Sequence, residues 1–204
     1  MDEIEIRRMQ PSDVGAVAEV ESYAYLNGLV AVAVYGGNGE KERKVLEKTR
    51  IDLYSNNPQE TYVAVDKGKI VGGIRSFPCS GDCFSSFPFS KEEHDYFASQ
   101  KIEQLSYEER RKWWLMTWEK HDPSTPHSHL GPFAVSPEFQ GQGIGSKLIG
   151  DYLARLDRAG TPSYLETTLP MNVRFYQKFG YEIVETDYVL GFEHYFMWRN
   201  ADSG

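Results

Sequence analysis

The chain has 204 residues, of which 25% are charged and 40% hydrophobic, with a formal net charge of -8 and a pI of about 5.2. That acidic balance argues against a nucleic-acid partner, whose affinity rests on basic side chains over phosphates, and no apolar run approaches the roughly 20 residues that span a bilayer. The opening Met1-Asp2-Glu3-Ile4-Glu5 is acidic, unlike a signal or transit peptide, so a cytoplasmic protein that neither enters nor crosses a membrane is expected. Ile4 to Met9 alternates and predicts a first strand. Pro11-Ser12-Asp13 then supplies a helix start, and Val14, Val17 and Ala18 share a helical face. Leu29 to Tyr35 is an unbroken apolar run that fits a strand or a buried helix.

Beyond Gly36-Gly37-Asn38-Gly39, the charged stretch from Glu40 to Leu53 predicts a surface helix with Val45, Leu46, Thr49 and Leu53 facing inward. Tyr62 to Val65, the turn Asp66-Lys67-Gly68-Lys69 and Ile70 to Arg75 predict a hairpin. An aromatic-rich insertion follows at about residues 77–128, opened by Pro78, Gly81 and Pro88. Ser90 with Glu93 and Ser106 with Glu109 form capping-box patterns, so two helices are expected there, the second carrying Trp113, Trp114 and Trp118. Three tryptophans on one helix suit packing against the sheet and the lining of an acceptor pocket equally well. Within the insertion lie the only cysteines, in Cys79-Ser80-Gly81-Asp82-Cys83. With no second pair and no His close in sequence, a reduced pair and no metal are expected.

Residues 130–171 organise the rest. A short apolar strand, Gly131-Pro132-Phe133-Ala134-Val135, leads through Ser136-Pro137-Glu138-Phe139 into Gln140-Gly141-Gln142-Gly143-Ile144-Gly145-Ser146 and then an amphipathic helix ending at Gly160. Strand, glycine loop, helix is the layout of an anion cradle, in which backbone N–H groups of the first helical turn face a phosphate. A dinucleotide fingerprint would need Gly at position 146, which is Ser, and a P-loop would need Gly-Lys-Ser/Thr where Ser146-Lys147 stands. The spacing that fits is Gln/Arg-x-x-Gly-x-Gly/Ala, carried by Gln140, Gly143 and Gly145. Tyr164 to Thr167 predicts the next strand. Asn172 is placed to open a short helix through Tyr176 that stops at Gly180, and Tyr181 to Thr186 and Glu193 to Arg199 predict two closing strands. The expected fold class is α/β (α+β): one domain over residues 1–204, with a mostly antiparallel mixed sheet. Its one parallel pair is imposed by the strand–helix–strand crossover after residue 135.

The Gln140 to Gly145 spacing resembles the acetyl-CoA pyrophosphate loop of the GNAT N-acetyltransferase superfamily. The runs His127 to Pro137, Gln140 to Ser146, Tyr164 to Thr167 and Asn172 to Tyr181 are similar to those of puromycin N-acetyltransferase and its relatives. The resemblance covers about residues 127–186 and implies a GNAT fold whose fourth and fifth strands splay apart. It further implies acetyl-CoA as co-substrate, a small-molecule amine as acceptor, and no metal. By the same resemblance, the N–H groups of Phe133 and Val135, flanking Ala134, together serve the pantetheine and the thioester carbonyl. Gln140, Gly141, Gln142, Gly143, Ile144, Gly145 and Ser146 hold the pyrophosphate, and Asn172 contacts the cofactor arm. Pro132 departs from the pattern and marks either a bulge or a shifted register.

Acetyl transfer to an amine requires one proton to leave the nucleophile and one to reach the departing thiolate. Tyr176 matches the family's general acid and Glu166 a cleft carboxylate, assigned as general base. His127 and His129 are secondary proton-transfer candidates. Acetylation of a protein or peptide amine, or a catalytically silent acyl-CoA-binding module, are the alternatives. The chain is expected as a monomer or a homodimer.

Overall fold

The computed structural model describes residues 4–81 and 90–202. Strands β1 (Glu5–Arg8), β2 (Glu60–Asp66), β3 (Lys69–Cys79), β4 (His127–Val135), β5 (Ser163–Thr167), β6 (Glu182–Val189) and β7 (Phe192–Arg199) form one sheet in the order β1-β2-β3-β4-β5-β7-β6. Every pairing among them is antiparallel except β4 with β5. The helices are α1 (Val14–Tyr25), α2 (Leu29–Tyr35), α3 (Glu40–Asn56), α4 (Lys91–Ser99), α5 (Tyr107–His121), α6 (Ile144–Ala159) and α7 (Pro170–Gln177).

The sheet is covered on both faces. On one, Leu148, Ile149, Tyr152 and Leu153 of α6 pack with Ala64, Val71, Leu130, Leu165 and Met197. On the other, Val17 and Val20 of α1 and Tyr54 of α3 cover Val63, Val65 and Ile70. One open reading is settled and two expectations need correcting. The ambiguous run Leu29–Tyr35 is helical: Gly36 caps it in the left-handed region (φ +84°) and its N–H returns to the Val32 carbonyl, while Val34 packs on Val189 and Leu190. The inward face of α3 is Arg43, Leu46 and Tyr54, whereas Val45 is 42% exposed. That face is polar because it meets the buried Glu21 of α1, which accepts a hydrogen bond from the Tyr54 hydroxyl and pairs with Arg50 at 3.1 Å. Finally, α7 begins at Pro170, so Asn172 lies in its first turn instead of capping it.

Both predicted capping boxes are present. Ser90 Oγ accepts from Glu93 N, Ser106 Oγ accepts from Glu109 N, and each Glu side chain reaches back to the Ser N–H at 3.0 Å and 2.8 Å. The inserted helix α5 is docked at its C-terminal end, where Lys120 Nζ and His121 Nε2 reach Asp187 of β6 at 2.7 Å and 2.8 Å. The expectation of a reduced cysteine pair is overturned, for Cys79 is disulfide-bonded. Its only possible partner in this chain, Cys83, lies outside the described residues.

Candidate active site

The cleft begins where β4 and β5 part. They pair only at Ser128 with Ser163 and His129 with Tyr164. That short contact is pinned from beneath by a buried run of hydroxyls. Tyr152 Oη lies 3.0 Å from Ser128 Oγ and 2.8 Å from Ser163 Oγ, which is itself 2.7 Å from Tyr181 Oη. Just above, Ile74 faces Phe133 but Ser76 faces Leu130, so Gly131 and Pro132 together oppose the single Arg75. Two residues against one is a β-bulge, which bends the strand and re-aims the residues beyond it. Pro132 therefore marks a bulge, and Arg75 holds it by donating to the Gly131 carbonyl at 3.1 Å.

Past the bulge, the β4 edge facing the cleft has no strand partner among the described residues, yet Phe133 is engaged. The Tyr25 hydroxyl, at the end of α1, accepts from Phe133 N at 2.9 Å and donates to Phe133 O at 2.8 Å. Burial and the nearby Glu21 push this phenol up to about 12, so it stays a donor throughout the physiological range. One of the two N–H groups expected to serve the pantetheine and the thioester carbonyl is therefore occupied by an intramolecular phenol. Ala134 is buried behind the edge, and the Val135 carbonyl accepts from Gln140 Nε2 at 3.0 Å.

The glycine loop is exposed except for Ile144, which anchors it in the core, and half-buried Gly145. Gly141 (φ +75°) and Gly143 (φ +82°) sit in the left-handed region, and nothing beyond the adjoining backbone lies within 4 Å of where a Cβ would be. A chain bent this way turns its N–H groups outward, at the positive end of α6. The Gln side chains brace the loop instead of lining it: Gln140 bonds the Val135 carbonyl, and Gln142 donates to the Glu138 carbonyl at 3.3 Å. Asn172 Nδ2 donates to Thr167 Oγ1 at 3.2 Å, which ties the start of α7 to the end of β5.

Tyr176 and Glu166 border the same opening. The Tyr176 ring packs against Phe133 and Tyr181, at 6.4 Å and 5.7 Å between centroids, and its hydroxyl makes no hydrogen bond among the described residues. Burial, then Tyr25 and Glu166, hold its phenol well above the ordinary value. The Glu166 side chain is 8% exposed and points to the opposite side of β5 from Leu165. Its Oε2 lies 3.0 Å from His129 Nε2, and its Oε1 is buried with no hydrogen-bond partner among the described residues. His129 stacks on Phe77 at 4.8 Å and meets Trp118 at 6.2 Å. The result is a protonated phenol on one flank, a carboxylate–imidazole pair on the other, and an open strand edge between.

Sequence patterns give no place to Tyr25 or Phe77 and leave His129 secondary. Tyr25 carries no local signal because its partner is 108 residues away. His129 is discoverable: a His where the parallel pair begins faces the strand that bears Glu166.

Residues 32–181 match the acetyltransferase (GNAT) family, which is most of the chain. The chain belongs to the GNAT acetyltransferase family. It is accordingly an N-acetyltransferase, and its sheet with one parallel splayed pair is the GNAT fold. Among solved structures it is similar to the Drosophila melanogaster polyamine N-acetyltransferase that forms N-acetylagmatine, with a TM-score of 0.68 at 16% identity over 96% of this chain and 98% of that one. It is also similar to a Brucella melitensis GNAT acetyltransferase in complex with acetyl-CoA (TM-score 0.55, 19% identity, 99% and 90% covered). A third is the Escherichia coli ribosomal-protein-S18-alanine N-acetyltransferase (TM-score 0.58, 13% identity, 99% and 96% covered). No helix among the described residues of this GNAT chain is long and apolar enough to cross a membrane.

Proposed function

We propose that this GNAT chain transfers the acetyl group of acetyl-CoA to the primary amine of a small molecule with an apolar or aromatic body, by direct attack without an acyl-enzyme. The observation that carries the reading is the pairing of Tyr176 and Glu166 across the splay of β4 and β5, one held protonated and the other largely buried beside His129. Room for the co-substrate is consistent with the open space at Gly141 and Gly143 and with the open β4 edge.

An amine near the lysine reference value of about 10.4 is mostly protonated at neutral pH. The Glu166–His129 pair takes that proton, either oxygen or imidazole nitrogen serving as the acceptor. As the C–N bond forms and the C–S bond breaks, the Tyr176 hydroxyl protonates the departing sulfur and is later reprotonated from solvent. Phe133 N–H, once released from Tyr25, donates to the carbonyl oxygen as it gains charge, a contribution of about 10² to 10³ in rate for one such donor.

Acceptor choice follows from the walls. Phe77 and Trp118 flank His129, and Trp114 lies behind Trp118 at 4.3 Å. Trp113 is instead half-buried against Phe97, Leu105 and Met116 within the insertion. Flat aromatic walls favour a flat or apolar amine and attract its ammonium form. Thiol release from acetyl-CoA measured with a panel of amines tests this. Aromatic primary amines, including puromycin-like aminonucleosides, are expected to exceed spermidine and agmatine in kcat/KM. A peptide N-terminus or a polyamine as best acceptor would overturn the substrate class, and no thiol release with any amine would favour a silent acyl-CoA-binding module.

A further inference from the structure

The antiparallel pairing of β3 with β4 sets Cys79 opposite His127. The residue after α5, Asp122, turns its carboxylate to the same point. Cys79 Sγ lies 3.6 Å from each carboxylate oxygen, His127 Nε2 lies 3.7 Å from Oδ1, and the three ligand atoms are within 4.8 Å of one another. Water is nearly excluded: the His127 side chain is 0% and the Asp122 side chain 6% exposed. The premise that no His stands near the cysteines, true along the chain, fails in the fold.

The orientation of His127 gives this cluster its direction. Its Nδ1 is 2.8 Å from the Thr125 carbonyl, which can only accept, so Nδ1 carries the proton. The Nε2 lone pair is left buried and aimed at Asp122, without a hydrogen-bond partner among the described residues. A backbone carbonyl that fixes the tautomer so that the other nitrogen can ligate is the usual outer-shell arrangement of metal-binding histidines. Zinc bound to S, N and O at about 2.3, 2.05 and 2.1 Å with tetrahedral angles holds those donors roughly 3.4 to 3.6 Å apart. The spacings around Asp122 are already close to that. A thiolate, imidazole and carboxylate set suits Zn²⁺ over Ca²⁺ or Mg²⁺, which take oxygen ligands.

In the present state the Cys79 sulfur is held in a disulfide. We propose that Cys79, Asp122 and His127 form a Zn²⁺ site that opens when this disulfide is reduced. A dithiol supplies the two electrons and two protons, becoming a cyclic disulfide itself and leaving thiols at Cys79 and Cys83. Metal binding then displaces the Cys79 thiol proton to solvent, and water fills the fourth position. The ion would tie β3, β4 and the end of α5 together from within.

The test uses the full, untagged chain, oxidised or reduced anaerobically with dithiothreitol and desalted. Co²⁺ serves as the spectroscopic probe, and Zn²⁺ is titrated against a chromophoric chelator. The reduced chain should take up one Zn²⁺, show a thiolate-to-cobalt charge-transfer band and melt higher with Zn²⁺ present, while the oxidised chain does none of these. Cys83→Ser, which leaves Cys79 as a thiol, should bind without any reductant. Cys79→Ser should lose the charge-transfer band, and His127→Gln should weaken Zn²⁺ at least tenfold. If His127→Gln loses its native far-UV circular dichroism, Asp122→Asn replaces it with the same expected weakening. Reduced wild type and Cys83→Ser binding no more Zn²⁺ than the oxidised chain would overturn the proposal, as would undiminished affinity in reduced Cys79→Ser.

Discussion

Tyr25→Phe tests the hinge of the catalytic reading, because it removes one hydroxyl that makes two hydrogen bonds to one residue of β4. In the free protein that oxygen accepts from Phe133 N at 2.9 Å and donates to Phe133 O at 2.8 Å. A neutral hydrogen bond is worth about 0.5 to 1.5 kcal/mol net, so losing both costs the free protein about 1 to 3 kcal/mol, toward the low end because the released groups face an open cleft. For a chain of this length each kcal/mol lowers the melting temperature by about 2 to 4 °C. With acetyl-CoA the sign reverses. The wild-type N–H must leave Tyr25 before it can donate to the thioester carbonyl, and the variant skips that exchange. Acetyl-CoA should therefore bind roughly two- to tenfold more tightly to the variant, which corresponds to about 0.4 to 1.4 kcal/mol. CoA, which has no acetyl carbonyl, should bind both proteins alike. Isothermal titration calorimetry with both ligands and both proteins reads the difference directly. Equal changes for the two ligands, or weaker acetyl-CoA binding by the variant, would refute the competition between Tyr25 and the carbonyl. The phenol, pushed up to about 12, does not titrate at assay pH.

Gly143→Glu forces a side chain into a backbone with φ +82° and places a carboxylate in the proposed anion cradle. The stabilisation that acetyl-CoA gives at 100 times its dissociation constant, about 2.7 kcal/mol, should vanish from thermal melts, and its full retention would remove the loop from the site. Tyr176→Phe should lower kcat by about 10² to 10⁴ while calorimetry finds the acetyl-CoA Kd unchanged; wild-type turnover would dismiss the phenol as general acid. Glu166→Gln should reduce the rate most at low pH, where more of the amine is protonated. Adding His129→Gln to it should cost less than the two single losses combined if the pair acts as one base; additive losses in steady-state rates would separate them. Asp187 is raised by burial but brought down to about 2 by hydrogen bonds from Lys120 and His121, below the unfolded value of about 3.9. Its contribution, about 1 to 2 kcal/mol after allowing for partial exposure, is present above pH 4 or so and lost as pH falls toward 2, so Asp187→Asn should be less stable in urea at pH 7 and lose less on acidification.

The features legible in the sequence are those that lie close along the chain. The capping boxes at Ser90 and Ser106 join residues three apart, and both form as predicted. The glycine loop is a local conformational demand, met by Gly141 and Gly143 with positive φ. The β2–β3 hairpin rests on a tight turn at Lys67 and Gly68. The run Leu29–Tyr35 is undecided from its own residues because its helicity comes from outside it, from Val189, Leu190 and the aromatic residues of α5. The inward face of α3 is hidden for a related reason. Hydrophobic periodicity finds apolar stripes, but this helix turns Arg43 and Tyr54 inward toward Ser22 and the buried Glu21.

The residues the sequence could not connect are those on which the proposed chemistry turns. Tyr25 and Phe133, His129 and Glu166, and Cys79 and His127 each meet only because strands or helices distant in the chain are brought alongside. One arrangement links these meetings. The hydroxyls of Ser128, Tyr152, Ser163 and Tyr181 hold β4 to β5 at one level, and the bulge at Gly131 and Pro132 releases them at the next. Below the release, His127 faces Cys79 and Asp122, and His129 faces Glu166; above it, Phe133 turns its backbone to Tyr25. Alternation along one strand sends His127 and His129 to the same side, with ring centroids 6.1 Å apart, so the cysteine cluster and the carboxylate pair share a wall. A substitution that relaxed the hydroxyl pin, such as Ser163→Ala, would thus loosen both flanks of the cleft together, although Ser163 touches neither Tyr176 nor Glu166 through its hydroxyl.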